Sequence, residues 1–298
     1  MTSTDVEETR FRYTGLDGVA LAGFRWRAKM PTRYILQIAH GAGEHSGRYR
    51  DRLASLAQAG VVIYSADHRG HGLTSGMSHL GNLGPAGAAA CVSDMAQLSK
   101  LARQETPGLP LILMGHSMGG MFAQAYVFEH SALIDGLVLS GTRGPGPRLE
   151  GGFNSLYPNP RTAYDWLSRD DAEVDRYIAD PFCGIRFDRP SMASLMQLSQ
   201  ITDSLEGLCR VRSRLPVYVF AGEEDPVHNR MQGLQPLIDA YQDAGLHVSS
   251  KIYPGGRHEM LHENNWQEVV EDLLCWILAV RPSRDLPLPS PIIAAPGA

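Results

Sequence analysis

The stretch Leu109-Pro-Leu-Ile-Leu-Met-Gly-His-Ser-Met-Gly-Gly120 decides how this chain is read. An apolar run, Leu111 to Met114, leads into Gly115-His116-Ser117-Met118-Gly119, a G-x-S-x-G sequence. The helix-like GGMFAQAYVFEH begins inside that pattern. Small residues are needed on both sides of the serine when it occupies a cramped strand-to-helix turn. Such a turn lifts the Ser117 hydroxyl out of the sheet and points the next helix's N-terminus at it. In a chain with 31 glycines the pattern alone is modest evidence, so the strand before it and the helix after it carry the reading.

Outward from this stretch the same design recurs. RYILQIAHGAG, GVVIYSADHRGHG, LIDGLVLSGT, LPVYVFAGEEDP and HVSSKIYPGG are short aliphatic or β-branched runs that end in Gly, Asp or His. RFRYTGLDGVALAGFRWRA reads as two strands joined by a turn at Leu16-Asp17-Gly18. Helix-like stretches fall between them, at Arg48–Ala59, Pro85–Arg103, Gly119–His130 and Asn229–Ala244. Continuous apolar strands alternating with helices predict an α/β fold: a mostly parallel, eight-stranded sheet with helices on both faces. In such sheets the loops at the carboxyl ends of the strands carry the chemistry.

Residues 143–214 break the rhythm. They hold turns and helical pieces without a clear strand, and their ten arginines are matched by ten acids. They are expected to form an inserted helical cap on a core of residues 1–142 and 215–281, with a proline-rich tail at 282–298.

Bulk properties exclude other classes. The chain has 298 residues and a net charge of -5, which argues against a nucleic-acid partner. Cys91, Cys183, Cys209 and Cys275 are scattered, without C-x-x-C pairs, and read as small buried apolar residues. MTSTDVEETR carries no apolar leader segment, and no run reaches the roughly 18 apolar residues of a membrane span. A cytoplasmic setting, with at most transient contact of the cap with a membrane, is expected.

A nucleophilic serine needs a base, and the base an orienting acid; in this architecture they follow in the order serine, acid, histidine. Asp225 ends the run LPVYVFAGEED and is the candidate acid, with Glu223 and Glu224 solvating the same loop. His258 follows Gly255-Gly256 at the end of the last strand and is the candidate base. The same stretch, His258-Glu259-Met260-Leu261-His262, matches the zinc motif H-E-x-x-H. A zinc helix would need both histidines well inside it. His258 directly after a glycine loop disfavours that, and His262 reads as a rim or solvated residue. Backbone N–H groups of Met118 and Ala42 are the expected oxyanion donors, with His40-Gly41 letting the chain approach closely. His40 reads as a structural loop histidine. Asp67, His68, Arg69 and His71 read as a hydrogen-bonded loop bracing the site.

HGAGEHSGRY, DHRGHGLTSG, GHSMGG, AGEEDPV and GGRHEML together resemble the α/β-hydrolase superfamily, and within it the monoacylglycerol lipase and lysophospholipase group. The resemblance spans Tyr34 to Leu261 and implies a Ser117–Asp225–His258 triad with Ala42 and Met118 as oxyanion donors. It also implies that Glu44, Arg48 and His262 lie near the polar glycerol end of a substrate. The expected activity is hydrolysis of a single-chain lipid ester by an acyl-enzyme route, with no metal and no organic cofactor. A lysophospholipase, a short-chain carboxylesterase, a peptidase and a non-catalytic binding module are the alternatives. In the cap, Met192, Leu195, Met196 and Leu198 share one helical stripe and are expected to wall an acyl channel or to pack as cap core.

Overall fold

A computed structural model describes residues 6–282. The order of elements is β1 (Val6–Thr14), β2 (Ala20–Ala28), β3 (Tyr34–Ala39), α1 (Ala54–Gln58), β4 (Val61–Ala66), α2 (Gly72–Ser75), α3 (Gly87–Glu105), β5 (Leu111–His116), α4 (Met118–His130) and β6 (Gly136–Ser140). Then come α5 (Asp171–Ala179), α6 (Arg189–Ser204), β7 (Pro216–Gly222), α7 (Gln235–Asp243), β8 (His247–Tyr253) and α8 (Trp266–Ala279). Eight strands form one sheet in the order β1-β2-β4-β3-β5-β6-β7-β8. The β1–β2 and β2–β4 pairs are antiparallel and the other five are parallel.

The sequence pattern and the packing agree for a physical reason. A parallel strand covered on both faces has no solvent side, so its residues need not alternate. Every residue of β3, β4, β5 and β6 is buried. On one face Met95 of α3, Phe122 and Tyr126 of α4 and Leu237 of α7 share a core. On the other, Trp26 of β2 and Leu56 of α1 pack with Val269 and Leu273 of α8. β1 does alternate, and the turn after it places Gly18 at φ 85°, where a side chain would be strained.

Two helices are shorter than the sequence suggests. Within Arg48–Ala59 only α1 is α-helical, after a 3-10 turn at Ser46–Tyr49. Arg48 and Tyr49 are tied there by their side chains to Glu44. In Asn229–Ala244 the helix starts only at Gln235. Asn229, Arg230 and Met231 are left-handed, at φ 47°, 51° and 69°. They wrap around buried His228, which donates to Gly222 O at 2.8 Å and accepts the Met231 N–H at 3.0 Å. A helix cannot run through three left-handed residues.

Between β6 and β7 the chain forms only turns and helices. Leu195 and Leu198 of α6 are buried against α3 and α4, while Met192 and Met196 are exposed. Of the cysteines only Cys91 is buried; Cys183 is half-buried and Cys209 and Cys275 are exposed, against the expectation of four buried thiols. The expected tail lies outside the described residues from position 283 onward. No helix among the described residues is long and apolar enough to cross a membrane.

Candidate active site

Ser117 stands where β5 turns into α4, with φ 53° and ψ -115°. This is a conformation that non-glycine residues hold only when their surroundings impose it. The surroundings are visible. A Cβ on Gly115 would collide with the Gly119 carbonyl, and one on Gly119 with the carbonyls of Ala39 and His40. The two glycines of G-x-S-x-G are therefore required by the approach of α4 to β5 and to the end of β3. Ser117 N–H donates to Ser140 O at 2.9 Å, which ties the turn to β6. From Leu111 to Gly120 every residue is buried except Ser117, which is half-buried.

His258 and Asp225 meet from the loops after β8 and β7. His258 Nδ1 donates to Asp225 Oδ1 at 3.0 Å, with both side chains out of solvent. Burial alone would push the His258 pKa down. The Asp225 charge and hydrogen bond, helped by the Glu259 and Glu44 charges, outweigh it and raise the pKa above its usual value. For Asp225, burial works upward, and the His258 charge and hydrogen bond bring the net shift below the ordinary carboxylate range. Ser117 and His258 line one cavity of about 400 Å³.

Gly41 and Ala42 line the same cavity, and a Cβ on Gly41 would come 3.2 Å from the Ser117 Cβ. Met118 opens α4, so its N–H has no preceding helical turn to bond. The Gly41–Ala42 loop is held by neutral histidines. His40 Nδ1 donates to Gly41 O at 2.9 Å while His40 Nε2 accepts the His68 N–H at 3.0 Å. His71 Nδ1 donates to Arg69 O at 2.9 Å, which leaves Nε2 to accept the Gly43 N–H at 3.3 Å. Burial keeps both rings uncharged, His71 with a pKa of about 3. Asp67 accepts the N–H groups of Ser46 and Leu73, and Arg69 pairs with Asp17 and Asp94.

Glu44, Arg48 and His262 do not stand as three open polar groups. Glu44 lines the cavity, but its carboxylate already accepts from Gly41 N–H, Tyr49 OH and Arg48. Arg48 lies behind the wall and forks onto both oxygens of Glu259 at 2.6 and 2.7 Å. His262 is buried, not rim or solvated, and Nε2 donates to Arg48 O at 3.3 Å. Burial, with the Arg48 charge beside it, holds its pKa at about 3. The H-E-x-x-H stretch is not an α-helix: only Met260–His262 forms a 3-10 turn. His258 turns to Asp225 and His262 to Arg48, so the spacing on which the zinc reading depends is absent.

Several site residues escaped sequence reasoning. The His116 ring lies 4.8 Å from that of His258, and the Trp166 ring is also 4.8 Å from it. The insert grips the histidine loop: His258 N–H donates to Trp166 O at 3.3 Å and Glu259 N–H to Leu167 O at 2.7 Å. Ser168 Oγ donates to His262 O at 2.8 Å. Phe153, Trp166, Leu167, Tyr177 and Ile185 supply the apolar cavity wall. The α6 stripe Met192, Leu195, Met196 and Leu198 does not line the cavity, which corrects the expectation of an acyl channel there.

A mostly parallel sheet with a strained serine at a strand-to-helix turn, an acid after β7 and a histidine after β8 defines an α/β-hydrolase. The chain belongs to the family described as serine aminopeptidase, S33, whose model matches residues 30–265. It is similar to the monoacylglycerol lipase of Mycolicibacterium smegmatis, at 29% identity over 279 residues, covering 90% of this chain and 96% of that one. The monoglyceride lipase of Rattus norvegicus is 26% identical over 278 residues, covering 84% and 87%. A highly thermostable carboxyl esterase from Bacillus coagulans, solved in complex with glycerol, superposes with a TM-score of 0.86 at 29% identity, over 92% of this chain and 98% of that one. A soluble variant of the monoglyceride lipase from Saccharomyces cerevisiae shares the fold, with a TM-score of 0.78 at 20% identity over 95% and 98%.

Proposed function

We propose that the protein is a serine ester hydrolase that cleaves monoacylglycerols to fatty acid and glycerol. The observation that carries this reading is a single cavity lined by Ser117, His258 and the Gly41–Ala42 backbone together with the apolar side chains Phe153, Trp166 and Ile185. An ester carbonyl at Ser117 and an acyl chain against the apolar side chains suit that lining. About 400 Å³ is within the size range of small-ligand sites.

In the proposed reaction His258 takes the Ser117 proton through Nε2, and Ser117 Oγ attacks the ester carbonyl carbon. The oxyanion that forms accepts from the N–H groups of Ala42 and Met118. Asp225 holds the proton on Nδ1 and stabilises the imidazolium. The alcohol leaves with the proton from His258, and water then hydrolyses the acyl-enzyme by the same route in reverse. The chemistry calls on no metal and no organic cofactor. Residues 143–214 act as the cap, and the exposed Met192, Met196 and Ile201 of α6 support transient contact with a lipid surface. Four unpaired cysteines support a reducing, cytoplasmic setting.

The resemblance to monoacylglycerol lipases and to an esterase seen with glycerol supports an uncharged polyol at the polar end. A peptidase would need a free carboxylate to receive the substrate amine. Here Arg48 lies between Glu44 and Glu259, and Arg186 adds a cation to the wall. The test is a hydrolysis panel of monoacylglycerols, diacylglycerols, lysophospholipids, short esters and aminoacyl amides, run beside labelling with a fluorophosphonate probe. Monoacylglycerols are expected to be cleaved best, and Ser117→Ala to abolish both turnover and labelling. Preference for lysophospholipids or amides, or labelling that survives the substitution, defeats the reading.

A further inference from the structure

Where the cap meets the loop after β3, three side chains of different chemistry converge. His45, Asp180 and Cys183 each offer a ligand atom, and these atoms lie within 4.8 Å of one another. His45 follows the oxyanion loop by three residues. Asp180 directly follows α5, and Cys183 N–H donates back to Asp180 O at 3.0 Å, a tight turn that draws carboxylate and thiol together. Asp180 Oδ1 is occupied by the Phe182 N–H, while Oδ2 accepts from His45 Nε2 at 3.0 Å. None of the three has a part in the proposed hydrolysis.

We infer that His45, Asp180 and Cys183 form a site for a thiophilic divalent cation of the zinc type, which on binding pins the cap to the oxyanion loop and slows turnover. Thiolate, imidazole and carboxylate together suit zinc, whereas magnesium and calcium take oxygen ligands alone. Burial pushes the Cys183 thiol up, and the Asp180, Glu44 and Glu259 charges add to this against the charge of Arg48; a dication relieves that excess of negative charge. Zinc bond lengths of about 2.0–2.3 Å place tetrahedral ligands about 3.3–3.8 Å apart, so Cys183 Sγ closes on the other two by up to about 1 Å while the 3.0 Å His45–Asp180 pair opens slightly. On binding, the thiol gives its proton to solvent and the imidazole proton moves to Nδ1. That move gives up an exposed bond of 3.2 Å from Gly47 N–H, which water replaces. Water fills the fourth position.

The link to turnover is the seam itself. Gly184 N–H donates to Gly43 O at 2.9 Å, directly beside Ala42, and Gly184, Ile185 and Arg186 line the cavity. A cation bound to both sides fixes that seam against the movements that admit substrate and release product.

The experiment uses the full chain carrying Cys209→Ser and Cys275→Ser, which removes the two exposed thiols. Binding of zinc chloride is measured by equilibrium dialysis, and of cadmium chloride by its ultraviolet thiolate charge-transfer band. One ion per chain and a cadmium band are expected. Cys183→Ser should remove the band, and Asp180→Asn or His45→Ala should weaken binding at least about tenfold. In the same zinc titration, cleavage of a soluble p-nitrophenyl ester should fall at least about fivefold in the parent and not in the Cys183→Ser variant. No binding, or binding equal in parent and all three variants, overturns the site. Stoichiometric binding with unchanged turnover overturns the pinning. Only that second half rests on the ester-hydrolase reading; binding is read without substrate, so the two failures are distinguishable.

Discussion

Replacing Asp225 by Asn separates the two tasks of a triad acid. Asp225 Oδ1 accepts from His258 Nδ1 at 3.0 Å and also from Val227 N–H at 2.9 Å. An asparagine carries one oxygen and one NH2 group. Because Val227 N–H cannot face the NH2 group, the amide oxygen has to keep the place of Oδ1, and it goes on accepting from His258 Nδ1–H. The imidazole thus keeps its tautomer, and what is lost is the negative charge. With charges about 4 Å apart and an effective dielectric of about 20, that interaction is worth about 4 kcal/mol. The imidazolium forms only as the reaction proceeds, so kcat/KM is expected to fall about a thousandfold. A flipped amide with the wrong tautomer would cost about ten times more. The pH profile gives a second readout. His258 must be neutral to take a proton, so activity falls as pH drops through its pKa, which Asp225 holds above 6.5. In the variant burial acts unopposed by Asp225, and the acid limb moves to lower pH. The assay is p-nitrophenyl butyrate hydrolysis by both proteins from about pH 5 to about pH 9. An acid limb that stays in place, or a loss below about tenfold, refutes the assigned role of Asp225.

Further expectations follow from the packing. Gly119→Ala drives a methyl group into the carbonyls of Ala39 and His40, and should cost about 1–3 kcal/mol in urea unfolding; unchanged stability would deny that contact. Leu198→Ala should lower stability by about 2–4 kcal/mol and Met196→Ala by no more than about 0.5 kcal/mol, since one is buried and the other exposed; equal effects would contradict the orientation of α6. Burial pushes the Glu44 pKa up, but the Arg48 charge, helped by the Gly41 N–H hydrogen bond, holds it at about 2, below the usual 4.5. Its contribution is therefore present above pH 4.5 and lost as pH falls towards about 2. The stability difference between wild type and Glu44→Gln should shrink across that window, and a constant difference would refute the pairing.

What could be read from the chain follows from which forces leave a pattern. All eight strands were legible: burial on both faces forces an unbroken apolar run in the central strands, the hairpin forces a turn between β1 and β2, and the largely exposed edge strand β8 shows itself by its β-branched residues and the Gly-Gly that follows. The candidate nucleophile, acid and base were legible because each stands where such a run stops. The cavity wall was not. Periodicity marks the apolar face of α6 but not its neighbour, and Leu195 and Leu198 pack on α3 and α4 instead of the site. The wall comes from Phe153 to Arg186, where apart from α5 the chain turns irregularly and has no period to detect. Asn229–Ala244 misled for a related reason: a helix-forming composition was overridden by the buried ring of His228.

Glu259 is the clearest case of a residue hidden by its own context. Inside H-E-x-x-H it invites a reading as a zinc base, yet its partner is Arg48, 211 positions away. Long-range ion pairs have no sequence signature. Burying Glu44, Arg48 and Glu259 together is weak as a source of stability, because the desolvation of the charges offsets most of their attraction. Their geometry has a different consequence. Glu44 accepts the N–H of Gly41 in the oxyanion loop, and Glu259 directly follows His258. Arg48 bridges the two carboxylates, so one guanidinium sets the spacing between the loop that carries Ala42 and the loop that carries His258. Removing Arg48 leaves two buried carboxylates without the cation they share, which costs about 3–5 kcal/mol. The alternative to the intact bridge is therefore not a slightly displaced site but a locally opened one, and that makes the network a clamp on geometry more than a contributor to folding.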